Sequence, residues 1–511
     1  MANNTAAGRR RPAFPARALQ AIVLAASLAP TAPALARQQP HLHARIEAPT
    51  FGKLVDVQTP KGVLAYDLST RVAETLATSQ TATLVALTLA PGVTVDLELE
   101  RFWIWGPATQ FFIATDQGDI AIPPPPVVLF RGVVQGFPES KVFLSASPSG
   151  FSAIVRFADS QYILAPSGPL DELQQRRIHQ VFDSLSPDAA TFPVPFRCDP
   201  AEVPGHTPPF ASGVPGWSPR GASRVALVAI DADFEFRARF ANPGAAALYI
   251  CELLGAVSVF YETDVNLKLA LSFVRVWDTA ADPYSATGTG DQLTQFKNFW
   301  EANMGAVPRN TAHLLSARPL GGGIAYLDQM CGGSNAYGVN ADMSGSFPRP
   351  PQSGNAANWD LYVVAHELGH SFSSPHSHCY SPPVDRCYTS EGGCATGSRG
   401  CQTGTIMSYC HTCTGGVANI DLTFGPVVAS HIQSNLIACV GPARNPCFVN
   451  AAFTGTQQGT STNPMRSIAR GSWYVTPFGT VSIAAGNYSE TMTISQPMTL
   501  TASGGLVAIG R

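Results

Sequence analysis

The chain has 511 residues, a formal net charge of −3 and a pI near 6.4. Only 13% of residues are charged, against 45 Gly and 42 Pro, which leaves no electrostatic case for nucleic acid and points to turn-rich rather than charge-rich helical architecture. The length exceeds one ordinary domain and suggests about three.

The chain opens with Arg9, Arg10, Arg11 and Arg17, an apolar run over 18–28, and Ala34-Leu35-Ala36. A basic start, a short apolar core and a small-residue cleavage site predict a secretory signal peptide over 1–36. The apolar run is too short for a membrane span, which needs about 20 residues. No later stretch reads as a span, so a secreted, monomeric protein without a membrane anchor is expected. The 11 cysteines agree: none precedes Cys198, and Cys379, Cys387, Cys394, Cys401, Cys410 and Cys413 crowd together. In an oxidising compartment that density means disulfides. A second, thiolate zinc site at the Cys410/Cys413 pair is the alternative.

Residues 37–220 carry short alternating or apolar runs at 84–89, 93–99, 111–114, 127–134, 141–145 and 152–157, punctuated by Gly and Pro. They predict a mostly antiparallel β domain. The stretch Leu129-Phe130-Arg131-Gly132-Val133-Val134-Gln135-Gly136-Phe137-Pro138, followed by Ser140 and Val142-Phe143-Leu144-Ser145, resembles the propeptide of reprolysin-type metalloproteases. A Pro-rich linker is expected from about 193.

From 221 the pattern changes. Runs at 224–230, 267–276 and 311–316 read as buried strands, and 244–261 and 291–304 as helices, with 422–436 a terminal helix. Alternating β and α elements predict an α/β domain over 221–442 with a mostly parallel sheet. The glycine-bordered segment 321–327 suits an antiparallel edge strand. Residues 443–511 are expected to form a β-rich tail, free of cysteine from 448 on and similar to the opening of a parallel β-helix. Its expected strands lie at 480–484, 491–494, 498–502 and 506–509.

The chemistry sits at His366-Glu367-Leu368-Gly369-His370-Ser371-Phe372-Ser373-Ser374-Pro375-His376. On a helix, capped by Asn358 or Asp360, His366 and His370 share a face and can reach one metal ion. Glu367 then projects beside that metal as a candidate proton acceptor. The extended spacing resembles the metzincin zinc metalloproteases, and most closely their reprolysin-like (adamalysin-type) subgroup. That resemblance implies one catalytic Zn2+ held by His366, His370 and His376, Glu367 as general base, and Met407 in Gly404-Thr405-Ile406-Met407-Ser408-Tyr409 as the Met-turn. It also implies that 321–327 flanks the cleft, where an extended peptide adds as a strand. Tyr409 resembles the Met-turn tyrosine of other metzincin subgroups and is a candidate oxyanion donor or zinc ligand. A structural Ca2+ is compatible with such domains but is not read from this sequence.

Ser373 stands where the family has Gly. If φ there is positive, serine costs about 1–2 kcal/mol, and His378 is the spare third ligand. Cys198 is left over if the other ten cysteines pair among themselves, and as a thiolate it can fill the open metal position and keep a precursor latent. A disulfide into the catalytic domain and an inert thiol are its other readings. The function expected is a secreted, latent zinc endopeptidase acting on protein or peptide substrates, with its own propeptide as inhibitor. The alternative is a catalytically weak metal-binding adhesion or carbohydrate-binding surface protein.

Overall fold

The computed structural model describes residues 22–24, 43–59, 61–185, 224–330, 335–346, 358–436, 440–494 and 496–510. Cys198, Cys331, Cys439, His41, His206 and the linker lie outside these residues.

The N-terminal region is a ten-stranded sheet. Its order is His43–Glu47, Thr81–Ala90, Val93–Phe102, Val128–Val134, Phe137–Ser147, Gly150–Phe157, Ser160–Asp171, Arg176–Asp183, Leu64–Ser69, Gly52–Leu54. All neighbours run antiparallel except the first pair. Both faces of its central strands are apolar. Val142, Leu144, Phe130 and Val155 fill the sheet's own core, while Phe143, Leu129 and Ile154, one residue out of phase, join the core of the following region. A period of two with two buried faces is why these stretches read as almost continuous apolar runs.

The following region is an α/β layer with a mixed seven-stranded sheet. The parallel core runs Tyr337–Asn340, Thr311–Leu315, Arg224–Ala232, Leu267–Trp277, and Ile324–Ala325 pairs antiparallel at one edge. The expected edge strand over 321–327 is thus only two residues long, because Gly321 and Gly322 take φ of 95° and 122° and break the extended run. The other edge departs from the expected division of the chain. Leu267–Trp277 pairs in parallel with Trp105–Thr115, which in turn pairs antiparallel with Gly118–Ala121. Two strands from before residue 220 therefore complete the sheet.

Helix Pro243–Phe260 lies between the two sheets. It is mostly apolar and, apart from its first turn and half-buried Leu248, buried, so it shows almost no solvent face as amphipathicity. The stretch Pro243–Val265 is long and apolar enough to cross a membrane, but 83% of its apolar window is buried inside the molecule, as in a core helix. In the tail, Cys447–Val449, Thr480–Tyr488 and Thr499–Ile509 form parallel neighbours, and Ile22–Leu24 pairs antiparallel with the last. No strand forms over 491–494.

The pairing scheme for cysteine needs correction. Among the described residues the disulfides are Cys379–Cys394, Cys387–Cys410 and Cys401–Cys413, and Cys251 and Cys447 are free and buried. Cys251 sits in the middle of the core helix, where a thiol packs as a small apolar group. The ten cysteines after Cys198 therefore do not all pair among themselves. The Cys410/Cys413 pair is split between two disulfides, which removes the thiolate zinc site.

Burial also sets a pH response. His179 is fully buried, accepts from Phe151 N at 3.0 Å and donates to Arg177 O at 2.9 Å, and burial pushes its imidazole down to about 3. Unfolded, the ring titrates near 6.5. Between those values the unfolded chain binds a proton that the folded one refuses, so this residue's contribution falls as pH drops from about 6.5 towards 3. His179→Gln keeps both hydrogen bonds without titrating. The difference in melting temperature between pH 7 and pH 4 is expected to be smaller in this variant than in wild type.

Candidate metal centre

Helix Trp359–Ser371 carries the first two histidines, and every one of its residues is buried. Its start falls at one of the two expected cap positions, but without the expected cap bond. Asn358 sits at the N-cap with φ 62° and makes no side-chain cap bond. Asp360 instead accepts from Tyr249 Oη at 2.5 Å and from the amides of Ser344 and Gly345 at 2.8 and 3.0 Å. The helix is thus anchored sideways to the core helix and a loop, and Tyr261 Oη adds a bond to the carbonyl of Ala365.

After Ser371 the chain turns sharply. Ser373 has φ 80°, its amide reaches the carbonyl of His370, and the Ser374 amide reaches that of Gly369. The ring of His431, Nε2 at 2.9 Å from Ser373 O, holds the bend from the terminal helix Gly425–Leu436. Serine therefore occupies a left-handed conformation that glycine adopts freely, and a packed neighbour fixes it there.

The bend brings His376 back to the helix. His366, His370 and His376 place one ligand atom each within 4.8 Å of one another, and all three are buried. In each ring Nδ1 is engaged: His366 with Ile406 O at 2.7 Å, His370 with Ser374 O at 2.7 Å, and His376 with Glu391 Oε2 at 2.8 Å. Donation from Nδ1 fixes the tautomer and leaves the Nε2 lone pair for a ligand. The Nε2 atoms of His366 and His370 are buried without a hydrogen-bond partner, a costly arrangement unless something occupies the space between them. Burial pushes both rings down, His366 well below the usual range with His370 and His376 adding to the effect, and His370 to about 3. Three neutral imidazoles suit a tetrahedral zinc site with one open position.

His378 does not join this group. Its Nε2 meets Glu391 Oε2 at 2.7 Å, so Glu391 bridges His376 and His378. Burial works against ionisation of this carboxyl, but the hydrogen bonds from His376 and His378 prevail and hold it well below the usual carboxylate range. Glu391 was not singled out from the sequence. It lies in a Gly-rich loop with no periodicity, and its only hint is position between Cys379 and Cys394, whose disulfide folds the loop back.

Met407 is fully buried beneath the helix, and a Cβ on Gly369 would overlap its Sδ. The turn contributes through its backbone too: Ile406 O orients His366, and Met407 O accepts from Ser377 N at 2.8 Å. The Tyr409 ring lies 4.3 Å from that of His376 between centroids, and the adjacent Cys410 is tied to Cys387. Glu367 is buried against Gly323, where any Cβ would overlap its carboxylate. His411 Nδ1 lies 2.9 Å from Tyr362 Oη.

The α/β fold and this histidine cluster suit a zinc-dependent metallopeptidase domain. Residues 221–421 match the family model Reprolysin_5, metallo-peptidase family M12, so this segment is similar to the reprolysin-like metzincins. The disintegrin and metalloproteinase domain-containing protein B of Aspergillus fumigatus is 28% identical over 254 residues, 46% of this chain and 31% of its own. The chain thus spans about a third of that relative. Among solved structures, the crystal structure of metalloproteinase-II from Bacteroides fragilis aligns with 66% of this chain and 90% of its own. It does so at 10% identity with a TM-score of 0.37, too loose to support an assignment.

Two outcomes are expected at this centre. Glu391→Gln should weaken zinc retention roughly 10–100-fold, read by competition with a chromogenic chelator. Ser373→Gly should raise the stability of the fold by about 1 kcal/mol, read from denaturant midpoints.

Proposed function

We propose that the protein is a secreted zinc endopeptidase made as a latent precursor, with His366, His370 and His376 as ligands and Glu367 as general base. The observation that carries this reading is the convergence of three buried, tautomer-fixed imidazoles beside a buried carboxylate. A zinc ion held by His366, His370 and His376 would acidify a water and polarise the scissile carbonyl. Glu367 takes the water's proton during attack and passes it to the leaving amine as the C–N bond breaks. Tyr409 donates to the developing oxyanion from its place beside His376. The edge segment at Gly323 sets the substrate strand next to Glu367, with Ile324–Ala325 offering the hydrogen-bonding edge. Glu391 and the carbonyls of Ile406 and Ser374 hold the ligand rings in place.

Cys198 in the linker stays the candidate for the blocking thiolate, although the cysteine count that singled it out does not hold. The adhesion and carbohydrate-binding alternative has no observation in its favour.

Casein hydrolysis by the processed protein should be abolished by a chelator and restored by zinc. Glu367→Ala should lose activity by at least about 10²–10⁴-fold while still retaining zinc. Activity surviving both treatments would overturn the endopeptidase reading. Tyr409→Phe should lower kcat on the order of 10²-fold with KM little changed. Cys198→Ala should give a precursor that is active before processing, and an equally silent precursor would remove Cys198 from the mechanism.

A further inference from the structure

We infer that the N-terminal β region is a permanent subunit of the folded enzyme, and that cleavage in the linker yields a non-covalent two-chain protein rather than a shed propeptide.

The first ground is the sheet. Trp105–Thr115 pairs with Leu267–Trp277 from Leu271↔Trp105 to Trp277↔Ala114, with a register shift after the first pair. Thr109 Oγ1 adds a bond to Leu271 O at 2.6 Å. Removing that strand would leave a long, flat, apolar strand edge without its partner, which folded proteins avoid exposing. Its loop continues the contact: Thr279 bonds Asp116, and Arg275, 4% exposed, has Asp119 at 3.6 Å.

The second ground is a shared core. Phe102, Trp105, Leu129, Phe143, Ile154 and Phe182 belong to one buried cluster with the core helix and the histidine helix. Gly255 of the core helix has no room for a Cβ, since Leu129 and Phe143 press against it at 2.8 and 3.3 Å from that position. An interface of this kind resembles a domain core cut in half, as in obligate assemblies.

The third ground is charge. On the N-terminal side Arg131, Lys141 and Arg156 face Glu262, Asp264 and Asp421 on the other, each pair in contact. Arg156 binds Asp421 with two bonds of 2.6 and 2.5 Å. Ser145 donates to Glu252 at 3.1 Å, and Gln161 accepts from the amide of Leu422 at 3.1 Å. In these three pairs the basic partner lies on the N-terminal side and the acidic partner on the other, with Arg275–Asp119 running the opposite way, so charge is matched across the boundary. The tail seals the far end of the same strand: Trp473 packs with Val225, Leu227 and Ala270 and fills the space beside Gly106.

Among the described residues, none placed at the metal centre comes from before residue 220, so the β region supports the enzyme from outside that centre.

The test inserts a protease recognition sequence between residues 186 and 223 of the full chain and cuts the purified protein to completion, as judged on a denaturing gel. Both fragments are expected to co-elute at the intact protein's volume in size-exclusion chromatography at micromolar concentration, in low salt and in 1 M NaCl. Hydrogen exchange of Leu267–Trp277 should be unchanged by the cut. Separate elution of the fragments, or a loss of protection over Leu267–Trp277, would overturn the inference. Neither readout involves proteolytic activity, so failure here and failure of the endopeptidase reading are distinguishable.

Discussion

Each histidine of the centre commits its Nδ1 hydrogen to a fixed acceptor, and the rest of the site follows from where those acceptors lie. Two of them, Ile406 O and Ser374 O, belong to bends rather than regular elements. The bends must therefore be held more firmly than a loop would be by itself. Met407 against Gly369 fixes one, and His431 bonded to the carbonyl of Ser373 fixes the other. The unfavourable φ of Ser373 persists because its neighbours over-determine the turn. Disulfides Cys379–Cys394 and Cys387–Cys410 then lock the segments carrying the third acceptor, Glu391, and the turn after Met407.

A second constraint operates on a larger scale. The helix Pro243–Phe260 has almost no solvent face, so it must be covered on nearly all sides. The parallel sheet and the histidine helix cover part of it, and the N-terminal sheet covers the remainder with the out-of-phase residues Leu129, Phe143 and Ile154. The helix that supports the histidine helix through Tyr249 is thus itself supported by residues more than 80 positions earlier in the chain. Stability of the metal centre and integrity of the N-terminal region are linked through this one element.

Much of the fold was legible as local pattern. Strands at 224–232 and 267–277 and helices at 243–260 and 289–303 lie close to where apolar periodicity placed them. Leu64–Ser69 and Arg176–Asp183 were missed because they mix polar and apolar residues with no clean period. At the helix start Asn358 does stand at the N-cap, but the cap bond that its residue type suggests is not made. Asp360 is of the right type but is drawn into bonds with Tyr249 and the 344–345 loop.

The spacing of His366, Glu367, His370 and His376 and the resemblance of the segment around Met407 to a methionine turn are legible in residue order, because those relations are local or repeat a family's pattern. Residue order also determined that residue 373 is a site of strain, since only a glycine is neutral at a left-handed bend. Tertiary structure alone decided that Glu391 sits behind His376 and that Cys251 and Cys447 stay unpaired. It alone decided that Trp105–Thr115 finishes a sheet begun after residue 220. These are contacts between residues far apart in the chain, and what selects them is the burial of apolar surface and the satisfaction of buried polar atoms in three dimensions.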